Sequence, residues 1–232
     1  MRLAIMQPYF LPYIGYWQLI QSVDQFVIYD NIKYTKKGWI NRNRILLNGK
    51  DVMISIPLSK ASDSLNVVER EISPDFEPKS LLAQLSGAYR KAPFFDETIQ
   101  LLEKILCYGD RNLFDFIHHS IRCICAYLSI PTPIIVSSRI DADPSLRGQE
   151  RVISLCEAMG SSFYINPIGG RELYSREEFD ARGIKLKFLA PKPFEYSQFG
   201  SGFLPSLSIA DVMMFNSAET IHEHLSTPVE LI

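Results

Sequence analysis

The sequence predicts a doubly wound α/β fold: a mainly parallel, Rossmann-like sheet with a helical insertion at about residues 76–128. Three features predict it. A strand–turn–helix–strand run opens the chain, strands and helices alternate again after residue 131, and helix-period stretches fill the interval between. The 232 residues suit one large domain or two small ones. No internal repeat, low-complexity tract or linker divides them, so residues 1–232 read as a single domain.

Residues 2–7, RLAIMQ, form an apolar strand. A turn containing Pro8 and Pro12 follows, then a helix from about Gly15 with Tyr16, Leu19, Ile20 and Val23 at helical spacing. Asp24 precedes a second strand, QFVIY, which ends at Asp30. Strand, helix, strand in that order favours parallel pairing, because the helix returns the chain to the end where it began. DVMISIP (51–57) reads as a further strand, and helices follow at about 76–90, 96–107 and 112–128. The last aligns Phe114, Ile117, Ile121, Ile124 and Leu128 on one face. PTPIIVSS (131–138) reads as a strand, 150–159 as a helix, 162–165 as a short strand, 176–181 as a short helix and 184–189 as a strand.

Composition narrows the function. With 47% hydrophobic residues the chain can bury a sizeable core, and its net charge of −2 predicts neither nucleic-acid nor membrane binding by the molecule as a whole. The opening residues place one Arg before apolar ones, but Gln7, Pro8 and Pro12 interrupt the run and no small-residue cleavage site follows. A soluble, cytoplasmic protein is expected. Cys107, Cys123, Cys125 and Cys156 lack metal-ligand spacing and read as reduced, buried thiols. His118, His119, His222 and His224 lie in helix-like regions away from the strand ends, the last two as a solvated tail.

Ligands of such sheets bind beyond the carboxyl ends of strands, which directs attention to the segments after Gln7, Asp30 and Ile165. In the first, Gln7 and Tyr9 offer directed hydrogen bonds, while Tyr9, Phe10, Tyr13 and Tyr16 offer faces for a base or sugar. Gly15 would let an anion approach the helix start. The same aromatics serve equally as core. Asp30 stands where an acid would meet ribose hydroxyls, although no G-x-G-x-x-G precedes it; a turn with Asn31 is the alternative.

Residues 31–50 carry Lys33, Lys36, Lys37, Arg42, Arg44 and Lys50 and no acid. With Trp39 and Asn41 they match the needs of a phosphorylated ligand, since guanidinium grips phosphate in two places and indole stacks. If WINRNRI is a strand, Asn41 and Asn43 face one way, Arg42 and Arg44 the other. A solvated basic face is the competing reading. Asn166, Gly169 and Gly170 in YINPIGG make either a binding loop or a plain turn. Ser208 reads as an N-cap with Asp211 in the acidic first turn, after Tyr196, Gln198, Phe203 and Pro205.

The run IMQPYFLPYIGYWQLIQSVDQFVIYDNIKYTKKGWINRNRI, with YRKAPFF, YINPIGGRELY and FLPSLSIADVMMFNS, resembles the WbqC-like protein family. That resemblance implies a bacterial protein encoded near genes for O-antigen or other surface polysaccharides. It also implies a glycine transferase acting on an amino sugar. The N-terminal pattern is similar, more distantly, to the nucleotidylyltransferase and class I synthetase superfamily; Gly15-Tyr16 stands where that superfamily has Gly-His, and the missing histidine argues against adenylyl transfer.

The expectation is therefore a transferase that adds glycine or a small acyl group to a nucleotide-linked amino sugar. A nucleotidyltransferase and a non-catalytic sugar-nucleotide-binding protein are the alternatives. Asp30, Arg42 and Lys37 take the catalytic roles; Gln7, Tyr9, Gly15, Tyr16, Trp39, Asn41, Arg44, Asn166, Gly169 and Gly170 bind substrate. No motif identifies a metal or a cofactor, although ATP is one source of an activated carboxyl group.

Overall fold

The computed structural model describes residues 1–200 and 202–232. Strand β1 (Arg2–Met6) leads into helix α1 (Ile14–Gln21) and strand β2 (Gln25–Ile28), which pairs with β1 in parallel, Leu3 opposite Gln25 through Met6 opposite Ile28. Strand β3 (Arg42–Leu47) and strand β4 (Lys50–Ser55) then form an antiparallel hairpin outside the main sheet. Its turn uses Asn48 and Gly49, both with positive φ (51° and 75°), as a tight hairpin connection requires. Residues 51–57 were expected simply as a strand; the local pattern holds no record of which sheet accepts it.

Helices α2 (Pro78–Tyr89), α3 (Phe95–Leu106) and α4 (Leu113–Tyr127) make the predicted insertion. Asn112 caps α4 by accepting hydrogen bonds from the backbone N–H groups of Phe114 and Asp115. Phe114, Ile117, Ile121, Ile124 and Leu128 are all buried, as their spacing predicts.

Strand β5 (Ile134–Val136), helix α5 (Gly148–Ala158), strand β6 (Phe163–Pro167), helix α6 (Arg176–Asp180) and strand β7 (Lys185–Ala190) resume the alternation. Helices α7 (Ile209–Phe215) and α8 (Ala218–Ser226) follow, and strand β8 (Glu230–Leu231) joins β7 antiparallel. The sheet order is β5-β2-β1-β6-β7-β8, with every pair parallel except the last. From β1 the chain steps outward to β2 and β5, then crosses back through α5 to β6 and β7 on the other side. That reversal beside β1 defines a doubly wound fold.

Alternate side chains of the central strands enter two cores. Leu3, Ile5 and Val27 pack with Val152, Leu155 and Cys156 of α5 and Phe179 of α6. Ala4, Phe26 and Ile28 pack on the opposite face with Trp17 of α1, Ile117 of α4 and Met213 of α7. The larger face carries the insertion, the hairpin and both C-terminal helices. No helix among the described residues is long and apolar enough to cross a membrane.

Two expectations about minor features need correction. Cys125 and Cys156 are buried, but Cys107 is exposed and Cys123 only half-buried, because the faces of α3 and α4 that carry them meet solvent. The C-terminal histidines are not a solvated tail: His222 Nδ1 lies 2.9 Å from the Leu128 carbonyl, and His224 stacks on Phe194 with ring centroids 4.2 Å apart. Amphipathic α8, with Ile221 and Leu225 buried, docks both.

Candidate functional site

The turn after β1 is held from behind. Asn43 of β3 donates both amide hydrogens to it, at 2.9 Å to the Phe10 carbonyl and 2.7 Å to that of Leu11. The Phe10 N–H donates to the Trp39 carbonyl at 3.0 Å. Ser208 Oγ donates to the Leu11 carbonyl at 2.8 Å, and Trp17 Nε1 to that of Pro12 at 3.0 Å. The bracing has a cause: Leu11 is buried with φ of 44°, a left-handed conformation that costs a non-glycine residue about 1–2 kcal/mol. The cationic stretch and the proline turn thus meet through a buried asparagine amide.

In front of this junction lies a cleft of about 750 Å³, within the ordinary size range for a small-molecule site. Tyr9, Pro12, Tyr13 and Ile14 line it from the β1–α1 connection, Trp39, Asn43 and Arg44 from the hairpin side. Residues 191–195 after β7, with Phe203, Pro205 and Ser206, close the remaining side. It therefore opens beyond the carboxyl ends of β1 and β7, as the sheet rule expects. Ser206, like Leu11, has a left-handed backbone, with φ of 57°.

Most of the surface is aromatic or proline. Burial raises the Tyr9 phenol above its ordinary value, with Tyr13 adding to the effect, and burial likewise raises Tyr13; both hydroxyls stay neutral hydrogen-bonding groups. Trp39 is 39% exposed, with its ring available at the mouth. The Arg44 guanidinium lies 5.6 Å from the Trp39 ring centroid and donates to Asp51 at 2.9 Å, so its charge is already matched. Lys192 and Glu195 also line the cleft, and neither belongs to an ion pair among the described residues.

Of the residues given catalytic or substrate-binding roles from sequence, the cleft brings together Tyr9, Trp39 and Arg44, and it also takes in Tyr13, Asn43, Phe203 and Pro205. The others lie elsewhere. Tyr16 is buried and donates to the Gln7 carbonyl at 2.9 Å. A Cβ at Gly15 would stand 2.5 Å from the Tyr13 ring, so the glycine admits a tyrosine rather than an anion at the helix start. Asn41 accepts from Tyr34 Oη at 2.8 Å and donates to the Ile56 carbonyl at 2.8 Å. Strand β3 begins only at Arg42, so Trp39 and Asn41 precede the expected alternation. Arg42 donates through Nε to the Gly38 carbonyl at 2.9 Å, and Lys37 is exposed.

Asp30 is 4% exposed, and its Oδ1 accepts from Ser137 Oγ at 2.7 Å and the Ser138 N–H at 3.0 Å. It ties the end of β2 to the end of β5. Asn166 is buried and accepts from Tyr164 Oη at 3.2 Å; Gly170 lies against its amide in a short helical turn, and Gly169 has open space around it.

Three contributors went unseen: Lys192, Glu195 and the fixed placement of the segment that bears them. The run of alternating prolines, Pro191 and Pro193, was the available signal. Asp211 also departs from expectation. Ser208 does cap α7 through the Ala210 N–H, but Asp211 is 0% exposed and takes hydrogen bonds from Tyr89, Tyr196 and Gln198. It is an interior acceptor, not a solvated first-turn acid. Among the described residues no group of three or more His, Cys, Asp or Glu side chains is placed to hold a metal ion.

Fold and cleft together define a doubly wound α/β protein with a cleft at the carboxyl edge of its sheet, lined by aromatic rings and by charges of both signs. The chain belongs to the WbqC-like protein family, whose model matches residues 7–223. It is 28% identical over 221 residues to an uncharacterized protein of Mycobacterium tuberculosis, Rv1507c, covering 94% of this chain and 95% of that one. No solved structure gives a significant match.

Proposed function

We propose that the cleft binds a nucleotide-linked amino sugar, and that the protein joins glycine or another small acyl group to the sugar amine in surface polysaccharide biosynthesis. The carrying observation is the pairing of aromatic walls with one charge of each sign, Lys192 and Glu195, neither with an ion-pair partner among the described residues. A sugar nucleotide with a free amine has rings for Tyr9, Trp39 and Phe194, a diphosphate for Lys192, and an amine for Glu195. Family membership supports the reading.

Glu195 takes the role first given to Asp30, whose Oδ1 is already engaged by Ser137 and Ser138. In amide formation the amine nitrogen attacks an activated carbonyl carbon. The amine proton passes to Glu195, and the leaving group departs with the electron pair of its bond to carbon. ATP or a preloaded carrier supplies that activated carboxyl. Lys192, at the same cleft, counters charge developing on the carbonyl oxygen. Nucleotidyl transfer finds less support, because Tyr16 is buried with its hydroxyl held by the Gln7 carbonyl.

Calorimetric titration with a panel of nucleotide-linked amino sugars, with ATP and glycine added for mass spectrometry, tests the proposal. A sugar nucleotide that gains one glycyl residue supports it. Lys192→Ala should weaken binding about tenfold or more, as loss of a charge-assisted phosphate contact predicts, with thermal stability near wild type. No binding to any member of the panel rejects the reading. Tight binding without turnover favours a second one, a non-catalytic sugar-nucleotide carrier, which the single carboxylate among the cleft's lining residues already recommends.

A further inference from the structure

Residues 191–200 and 202–206 have no helix or strand, yet 191–195, 203, 205 and 206 form one side of the cleft. Such a segment holds a shape only where something fixes it. At its start, Gln18 of α1, 1% exposed, brackets Lys192: Nε2 donates to the Lys192 carbonyl at 2.9 Å, and Oε1 accepts its N–H at 3.1 Å. Further along, Gln198 brackets Leu204 in the same manner, with Oε1 2.8 Å from the Leu204 N–H and Nε2 3.2 Å from its carbonyl. That second bracket brings the two lining stretches together.

The bracket itself rests on Asp211. Oδ2 accepts from Tyr196 Oη at 2.6 Å and from Gln198 Nε2 at 2.8 Å, while Oδ1 accepts from Tyr89 Oη at 2.6 Å. Tyr89 belongs to the framework: it sits on α2, and its oxygen also accepts the Leu46 N–H of β3 at 2.8 Å. One carboxylate oxygen therefore faces the scaffold and the other faces the irregular segment. Tyr196 follows Glu195 in the chain, and Gln198 holds the Leu204 backbone next to Phe203, so the carboxylate acts on cleft residues that it does not touch.

We propose that Asp211 is a positioning residue for the cleft, pinning residues 195–198 and 203–206 through Tyr196 and Gln198 so that Glu195 and Phe203 are presented to a bound ligand. This rests on the cleft being the ligand site, as proposed above. Burial raises the Asp211 carboxyl more than its three donors lower it, so the hydrogen bonds only partly offset the cost of placing the carboxyl in the interior.

The test uses the full chain and two readouts. In hydrogen exchange, Tyr196→Phe and Asp211→Asn should each speed the Leu204 amide, held by Gln198, by about tenfold or more, while the Lys192 amide, held by Gln18, and the β1, β2 and β6 amides keep wild-type rates. An unchanged rate at Leu204 overturns the proposal, and so does a uniform rise across the sheet, which marks general destabilisation. In titration with the best-binding sugar nucleotide, both variants should lose affinity about tenfold or more, and the double variant no more than either single one. Tyr89→Phe, on the scaffold side, should lower the melting temperature with less effect on affinity. Additive affinity losses overturn the coupling. Should wild type bind no sugar nucleotide while the exchange result holds, the ligand assignment fails and the pinning stands.

Discussion

Two places along the carboxyl edge of the sheet answer the same topological rule in opposite ways. Beyond β2 and β5, the Asp30 carboxylate meets Ser137 and Ser138 and the edge is sewn shut. Beyond β1 and β7, proline-rich segments are braced from behind and leave a cleft of about 750 Å³ in front. Strand order selects the edge; the partners of individual side chains decide which part of it stays open. An acid at a strand end is then read differently according to whether a serine faces it.

The contrast can be broken most sharply at its closed end. Asp30→Ala removes the acceptor of the Ser138 N–H and one acceptor of the Ser137 hydroxyl, and should cost about 2–3 kcal/mol. The melting temperature should fall by roughly 4–12 °C while sugar-nucleotide affinity holds. A wild-type urea midpoint would refute the tie. Ser137→Ala leaves the Ser138 N–H bond intact, and about 1–2 kcal/mol should be lost in the same denaturation series.

At the open end the effects move from stability to binding. Trp39 is 39% exposed, so Trp39→Ala should shift the melting temperature by no more than about 2 °C, yet weaken ring stacking by about tenfold in titration. Equal affinities would remove the indole from the site. The smallest effect concerns pH. Gln18 is oriented by Lys192 so that Nε2, 2.9 Å from His224 Nε2, donates to it and requires a neutral imidazole. Burial first, and the Lys192 cation second, hold His224 below 6.5. Its contribution to stability is therefore present above 6.5 and is lost as pH falls through the depressed native value. Melting curves from about pH 7.5 to 5.5 should show that loss, and His224→Phe, which keeps the stack on Phe194, should flatten it. Identical slopes would exclude the imidazole.

How much of this was legible follows from the distance over which each cause acts. Apolar periodicity is local, so the strands around β1, β2, β6 and β7 and the three inserted helices could be read directly. The hairpin's separation from the main sheet could not, because residues 50–55 carry the same apolar character wherever they pair. Within the site, Tyr9, Trp39 and Arg44 were visible as stacking and charged groups beside a proline turn. Lys192 and Glu195 were not, since their value depends on β7 lying two strands from β1, a fact of tertiary order. Asp211 was misread for the same reason: a capping pattern is local, whereas its three donors come from positions 89, 196 and 198.

The missing side chain at Gly15 has a consequence for the bore of the cleft. The Tyr13 ring sits where a methyl group would stand, with Cε2, Cζ and Oη all within 2.7 Å of that point. An alanine there would displace the phenol, and the cleft that Tyr13 already lines is open to receive it. The volume of the cleft is in this way metered by a helix residue outside the lining, and homologues that enlarge position 15 should have a narrower cleft.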